Sequence, residues 1–377
     1  MRTSTALPAL VLAVGATLVA GPAQAAPPGP ACGEHLTVDT VLTRNLTCTS
    51  GDGLTLAPGV TLDLGGKVLT GHDTGRGVVG PPTGDVTVTN GVVTGWGTGV
   101  TADDLTGTDP ETGDDLELDG TVHVVGVVVR GNGTGVDGTG RLYDSFKTFA
   151  VDRSTLRGNG TGFSTVGGYG TFTRTTLRDN DVALYANTGG VRLERSVVRD
   201  NGTGFDSGGE AGIDLVSTAF LGNDVGIRTG FMDFVTVERS ELSRNGTAID
   251  HGPGGSYLRV QDTTFASNGT GVAAHGDEMA ITGSTFRKND VGVSVEPDSW
   301  PDAPWERVTS IVGNTFVDGG DGLLSQWEGA QIGDNSATGN DRWGIHAPGA
   351  DDLGLNSASG NGNEPQCVGV VCAPTAP

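Results

Sequence analysis

The sequence predicts an all-β protein built as a single parallel β-helix, on three observations. Asparagine recurs at a nearly constant spacing, apolar residues keep a fixed register with it, and 65 of the 377 residues are glycine. A repeat of about 20 to 50 residues is typical of solenoids, in which each repeat packs only on its neighbours. The register of the apolar residues then decides which kind of solenoid forms.

The repeated asparagine marks one position in each coil. Most steps are 21 to 23 residues, and Gly319 takes the position once; the series is Asn132, Asn159, Asn180, Asn201, Asn223, Asn245, Asn268, Asn289, Asn340 and Asn361. Five members begin Asn-Gly-Thr, which is also an N-glycosylation sequon. Asparagine tolerates the left-handed backbone of a tight bend, and amides stacked at about 4.8 Å can hydrogen-bond along the axis. We therefore predict an inward-facing asparagine ladder rather than glycan attachment.

The apolar residues place short strands before and after this asparagine. Positions ten and eight residues before it are mostly apolar, as Ile213 and Leu215 are before Asn223. This period of two indicates a strand with alternate residues inward. We predict two or three such strands in each coil of about 22 residues, and one β-helix of about 13 coils over residues 59–363.

The two ends of the chain carry export and disulfide signals. Arg2, the apolar run 6–20 and Ala-Gln-Ala at 23–25 are typical of a cleaved signal peptide, so we predict a secreted protein with residues 1–25 removed. Residues 26–58 are predicted as an N-terminal cap and 364–377 as a C-terminal tail. The four cysteines cluster at these ends, which favours the pairs Cys32–Cys48 and Cys367–Cys372.

The balance of charge restricts the partners. Lys and Arg number 22 against 45 Asp and Glu, a formal charge of −23. Nucleic acids and anionic lipids need clustered basic residues, so we expect neither as a partner, and we expect a monomer. No resident metal is expected. The acidic segment from Thr101 to Gly120 could bind Ca²⁺, although it lacks the ligand spacing of a calcium loop.

Two patterns carry a family resemblance. The recurring Asn-Gly-Thr-Gly-apolar run and the stretch LTLAPGVTLDLGGKVLTG in the first coils resemble the right-handed parallel β-helix superfamily typified by pectate-lyase-like folds. The resemblance implies a right-handed cylinder with three sheets, one of which floors the substrate cleft in related enzymes. The catalytic motifs of polygalacturonase-like relatives, including Asn-Thr-Asp and Gly-His-Gly, are not assembled here.

Charged residues gather on one outward stripe in the middle coils. Positions nine and seven before the asparagine must face outward, and they include the candidate catalytic residues Asp214, Glu238, Arg192, Arg259 and Glu194. Asp214 and Glu238 should lie about 8 Å apart, within the window of about 6.5–9.5 Å for an inverting hydrolase. A lyase would instead use an arginine as base or to neutralise a uronate. The alternative is an exposed ion-pair ladder worth ~0–1 kcal/mol per pair.

Aromatic and histidine side chains accompany that stripe as candidate substrate-binding residues: Tyr257, Phe234, Tyr169, His251 and His275. The histidines are expected in loops leading into the same strand face. Trp300 and Trp305 lie in a proline-containing loop, where they could either stack on a sugar or pack against the wall of the β-helix. We expect a secreted protein that recognises an extracellular polysaccharide and is a candidate polysaccharide lyase or hydrolase. The alternative is a non-catalytic secreted binding or surface scaffold of the same fold.

Overall fold

The computed structural model describes residues 29–103, 120–139, 147–254, 257–276, 278–297 and 308–373. The predicted signal peptide, most of the acidic segment and the loop with Trp300 and Trp305 lie outside these ranges. The regular elements of the described residues are 42 short β-strands, with no helix among them. The all-β prediction is therefore confirmed. No described segment is a helix long and apolar enough to cross a membrane.

The strands form three sheets that run along the axis, and the strand pairs within each sheet are parallel. Sheet A has 15 strands, so the helix makes about 14 turns, against about 13 predicted. Its strands are Glu34–Leu36, Leu54–Leu56, Arg76–Gly80, Thr98–Ala102, Thr134–Asp137, Thr161–Val166, Val182–Asn187, Thr203–Ser207, Val225–Thr229, Thr247–His251, Thr270–His275, Val291–Glu296, Asp321–Ser325, Ile345–His346 and Cys367–Val368.

Sheets B and C follow sheet A in each coil, and the long strands Val86–Thr94 and Thr121–Arg130 contribute to both. The other strands of sheet B are Thr40–Val41, Thr61–Asp63, Thr148–Asp152, Tyr169–Thr173, Gly189–Glu194, Ala211–Val216, Phe234–Glu238, Tyr257–Gln261, Glu278–Thr282, Thr309–Val312, Gln331–Gly333 and Asp351–Gly354. Those of sheet C are Leu46–Thr47, Val68–Thr70, Thr155–Arg157, Thr176–Arg178, Val197–Arg199, Ala219–Leu221, Glu241–Ser243, Thr264–Ala266, Thr285–Arg287, Thr315–Val317, Ser336–Thr338, Asn356–Ser359 and Cys372–Ala373.

The interior is filled by columns of equivalent apolar side chains. Val235 and Val237 are fully buried while Thr236 between them is not, which confirms the predicted alternation. Phe265, Phe286 and Phe316 of sheet C stack along the axis with ring centroids 4.6 and 5.0 Å apart. Each coil thus buries its inward face against the coils above and below it, as a solenoid requires.

The asparagine ladder is present and inward-facing. The Asn201 Nδ2 donates to Asn223 Oδ1 at 2.9 Å and to the Leu177 carbonyl at 3.3 Å, and Asn201 is only 4% exposed. The same amide contacts join Asn132, Asn159, Asn180, Asn201, Asn223, Asn245, Asn268 and Asn289 in sequence. A side chain held in this way leaves no room for a glycan.

The left-handed residue of the bend is the one before the asparagine, not the asparagine itself as predicted. Asp179 and Asp200 have φ values of 56° and 57°, while Asn180 and Asn201 are not left-handed. The Asn201 Nδ2 donates to the Arg199 carbonyl at 3.0 Å and so closes the bend around Asp200. The asparagine side chain points inward because the residue before it adopts the left-handed conformation of the bend.

A second, hydroxyl ladder was not predicted. Ser154, Thr175, Ser196, Thr218, Ser240, Thr263 and Ser284 stack five residues before the asparagines, and Asn314, Asn335 and Asn356 continue the column. The Ser196 hydroxyl accepts from the Thr175 amide at 3.1 Å and donates to the Phe172 carbonyl. Serine and threonine also occupy outward strand positions, as Thr155 and Thr176 do, so the sequence pattern did not distinguish this buried column.

Both predicted disulfides are formed, Cys32–Cys48 and Cys367–Cys372, and the described residues include no free cysteine. Strands of sheet A already occur at Glu34–Leu36 and still occur at Cys367–Val368. The β-helix therefore extends past residues 59 and 363 into both predicted end segments.

The ladder predicts a pH-dependent loss of stability for Asn201→Asp. The variant removes two donors and places a carboxylate against carbonyl oxygens, so we expect a loss of about 3 kcal/mol or more at pH 8. Burial raises the folded-state pKa of the new carboxyl, so the loss grows as the pH rises above about 4, where an unfolded aspartate ionises. Urea denaturation at pH 4 and pH 8, each relative to wild type, measures it.

The matched control is Asn187→Asp, at an asparagine that makes one exposed contact to the Gly208 carbonyl. We expect a loss below about 1 kcal/mol there at both pH values. Equal effects at the two positions would mean that the ladder does not stabilise the fold.

Candidate functional site

An open groove of about 900 Å³ lies on the outer face of sheet B. The groove follows from the residues of one outward column of sheet B. On successive strands this column contains Thr148, Tyr169, Gly190, Gly212, Phe234, Tyr257 and Glu278. Tyr169 and Phe234 are 48% and 62% exposed, and the two residues between them are glycines. The groove therefore lies over two glycines that carry no side chain, and an aromatic side chain forms the wall on each side.

The two glycines differ in whether the surrounding backbone leaves room for a side chain. A Cβ on Gly190 would lie 3.1 Å from the Gly212 carbonyl oxygen and 3.5 Å from the Tyr169 ring. A Cβ on Gly212 would meet nothing closer than 3.8 Å, and neither glycine has a positive φ. A glycine inside a strand weakens it relative to a residue with a side chain. The fold therefore does not need glycine at Gly212, whereas the open groove does.

Turn length shapes the groove as well. Thr188 alone connects sheet A to sheet B at the groove, whereas residues 208–210 and 230–233 make this connection in the next two coils. The longest of these three turns carries Phe231 and Met232, which are 43% and 45% exposed, just before Phe234. One side of the groove therefore has an apolar rim.

A buried aspartate that the sequence pattern did not reveal anchors this rim. The Asp233 carboxylate accepts hydrogen bonds from Ser207 Oγ at 2.7 Å, from the Ala211 amide at 2.9 Å and from the Gly230 amide at 2.6 Å. Asp233 is fully buried, and it joins the 230–233 turn to the preceding coil. It thereby fixes the position at which Phe234 leaves the turn.

Arg192 and Asp214 lie side by side in the groove and form an ion pair between adjacent strands. Their side chains are 52% and 35% exposed, so both remain accessible to a ligand. Glu210 also lines the groove, from the 208–210 turn. It was missed because it lies in a turn, outside the strand register used for the prediction.

Of the predicted catalytic residues, only Asp214 and Arg192 line the groove. Glu238 pairs with Arg239 at 3.1 Å and Glu194 with Arg195 at 3.3 Å, while Arg259 donates to Gln261 at 3.0 Å. Of the predicted aromatics, Tyr169 and Phe234 line it, and Tyr257 lies opposite Phe234 on the next strand.

The histidines are not where they were predicted. His251 ends a strand of sheet A, is 1% exposed and contacts Thr229 Oγ1 through Nδ1 at 2.9 Å. His275 ends the next strand of sheet A, but His251 is in register with Ala274, so the two side chains face opposite sides. His275 Nδ1 lies 3.3 Å from the Pro297 carbonyl. The prediction failed because the loops were assumed to begin before these residues, whereas the strands include them.

The described residues contain no group of three or more His, Cys, Asp or Glu side chains that could hold a metal ion. Burial raises the pKa of the Asp206 carboxyl group, although Arg228 opposes this shift, and Asp206 lies on sheet A, outside the groove. The groove itself offers aromatic faces, an ion pair with donors and acceptors, and a second carboxylate.

Comparison with known proteins supports the β-helix fold. Residues 159–300 match the family model of the right-handed β-helix region. The coils on either side of that range have the same parallel strands and register. The chain therefore has the right-handed parallel β-helix fold, and the family model covers residues 159–300 of it. Neither the curated proteins nor the solved structures give a match.

The same substitution should act differently at two aspartates of the site. Asp233→Asn replaces a buried oxygen that accepts a backbone hydrogen bond with an amino group, so we expect a loss of about 1–3 kcal/mol in unfolding free energy. Asp214→Asn breaks only an exposed ion pair, so the loss should stay below about 1 kcal/mol. Thermal and urea unfolding of both variants measures this, and a larger loss for Asp214→Asn would contradict the assignment of Asp233 as the anchor.

Proposed function

We propose that this chain is a secreted protein that binds an extracellular carbohydrate in the groove of sheet B. The observation that carries the proposal is Gly212, a strand glycine that the backbone does not require, at the floor between two exposed aromatic walls. Leaving large apolar side chains exposed around an open gap is the expected arrangement for a binding groove.

The dimensions and surfaces suit sugar rings. Tyr169 and Phe234 are separated by three strand spacings, or about 14 Å, and the groove volume of about 900 Å³ falls in the usual range for ligand sites of about 300–1,000 Å³. Aromatic rings offer large apolar faces at low conformational cost. A sugar presents apolar C–H faces as well as hydroxyl edges, so it can stack on these walls.

The ion pair would supply the polar half of recognition. Arg192 carries only donors and the carboxylate of Asp214 only acceptors, whereas a sugar hydroxyl can both donate and accept. Their mutual contact holds the two side chains together on adjacent strands. Vicinal hydroxyls of a sugar above Arg192 and Asp214 would therefore form hydrogen bonds with both side chains.

The proposal of secretion rests on two kinds of observation. Both cysteine pairs are oxidised, and disulfides persist in oxidising compartments. The first 25 residues carry the pattern of a signal peptide.

Hydrolysis of the bound glycan is a second candidate. Glycoside hydrolases use two carboxyl groups that flank the scissile bond. Two carboxylates, Asp214 and Glu210, line the groove. Measuring products as well as affinity distinguishes binding alone from hydrolysis by the two carboxylates.

A panel of polysaccharides tests the proposal, with affinity measured by calorimetry and products measured as reducing ends and unsaturated sugars. We expect at least one polysaccharide to bind, and Asp214→Asn to weaken its binding about tenfold while the melting temperature hardly changes. Release of reducing ends without unsaturated sugars, lost in both Asp214→Asn and Glu210→Gln, would establish hydrolysis. Failure of every polysaccharide to bind would reject the proposal.

Gly212→Thr tests the groove directly. The added side chain has room beside the backbone and favours the strand, so the unfolding free energy should be unchanged or up to about 1 kcal/mol higher. The same side chain fills the floor, so glycan affinity should fall by more than about tenfold. Ala280→Thr, on an outward position of sheet B away from the groove, is the matched control and should bind as wild type does. Undiminished binding by Gly212→Thr would place the ligand elsewhere.

A further inference from the structure

Four arginines occupy consecutive positions of one outward column on sheet C. The register pairs Arg130 with Arg157, Arg157 with Arg178, and Arg178 with Arg199. Thr94 precedes these residues in the column and Leu221 follows them. We refer to Arg130, Arg157, Arg178 and Arg199 as the arginine ladder.

The ladder is unfavourable for the fold alone. Equivalent residues on adjacent strands lie about 4.8 Å apart, and like charges placed opposite each other destabilise a sheet. Composition does not explain it either, because acidic residues outnumber basic ones 45 to 22 in this chain. Four basic residues on successive strands of one column therefore need negatively charged groups nearby to offset their repulsion.

The protein supplies that partner for only half of the ladder. Arg178 pairs with Asp179 and Arg199 with Asp200, each the residue that follows in the chain. The residues after Arg130 and Arg157 are glycines, and neither arginine has an ion pair among the described residues. The ladder keeps a net positive charge at its Arg130 and Arg157 end.

The surroundings leave the guanidinium groups accessible. The neighbouring outward column on sheet C consists of small or β-branched residues, namely Val128, Thr155, Thr176 and Val197. The side chains of Arg178 and Arg199 are 30% and 40% exposed, and Arg130 is exposed. A flat surface with one row of projecting cations runs along the axis.

We propose that the arginine ladder binds a linear acidic polysaccharide that lies along the helix axis. Guanidinium groups bind carboxylate and sulfate through two parallel hydrogen bonds, and a row of them matches anions repeated along a chain. The overall charge of −23 opposes a partner as densely charged as duplex DNA. This face belongs to sheet C, so it is distinct from the groove of sheet B and does not depend on the function proposed for that groove.

The test titrates the full-length protein with polygalacturonate and with κ-carrageenan, a linear and sparsely sulfated polymer, at low and at high NaCl concentration. Wild type should bind at least one of them, more weakly at high salt. In the double variant Arg130→Gln/Arg157→Gln the Kd should rise at least about tenfold, and the slope of log Kd against log salt should fall by about two, one for each lost contact. Its melting temperature should be unchanged or higher, because repulsion is relieved. Comparison of the two polymers shows whether carboxylate or sulfate is preferred.

Arg287→Gln is the matched control, since Arg287 occupies the same column but lies between Ala266 and Val317. It should bind as wild type does. The proposal is overturned if wild type binds neither polymer, if the double variant binds as tightly as wild type, or if a DNA fragment of the same length binds more tightly than both polysaccharides. A melting temperature lowered in the double variant but not in Arg287→Gln would instead assign the ladder to folding.

Discussion

Parallel stacking of coils in register is the constraint on which the rest of this molecule depends. Each coil must place its equivalent residue over that of the previous coil, one strand spacing away. The asparagine ladder imposes this register, because each amide binds both the next asparagine and a carbonyl of the preceding coil. A shift of one residue would turn every inward side chain outward. The ladder and the alternating apolar columns therefore specify the same register.

Stacking in register converts a short sequence repeat into columns on the surface. A residue type repeated at one position becomes a continuous line along the axis, and a change at that position becomes a local feature. The groove of sheet B arises in this way, where Gly190 and Gly212 interrupt a column that carries Tyr169 on one side and Phe234 on the other. Buried Asp233 adds what register alone does not supply, since it fixes the turn that leads into Phe234.

The same geometry separates charges that the composition mixes. The acidic excess of the chain is a global property, yet Arg192 and Asp214 neutralise each other in the groove, while the arginine ladder on sheet C concentrates positive charge. Local charge follows the columns, and short-range binding follows local charge more than net charge because salt screens distant groups. An acidic protein can therefore present a basic stripe to a partner of suitable shape.

The sequence by itself determined the fold, the inward faces, both disulfides and the asparagine ladder. These follow from local periodicity, and a solenoid adds only contacts between neighbouring repeats, so the period and its residue types contain most of the information. The outward stripe with Arg192, Asp214 and Phe234 followed from the same register.

The tertiary structure decided the side-chain directions and turn conformations that the strand register does not specify. Whether Glu238 turns toward the groove or toward Arg239, and where the 208–210 turn places Glu210, depend on side-chain rotamers and turn geometry that have no period. His251 is buried because its strand includes it, whereas the sequence pattern placed it in a loop, and such boundaries are set by packing between coils rather than by local sequence.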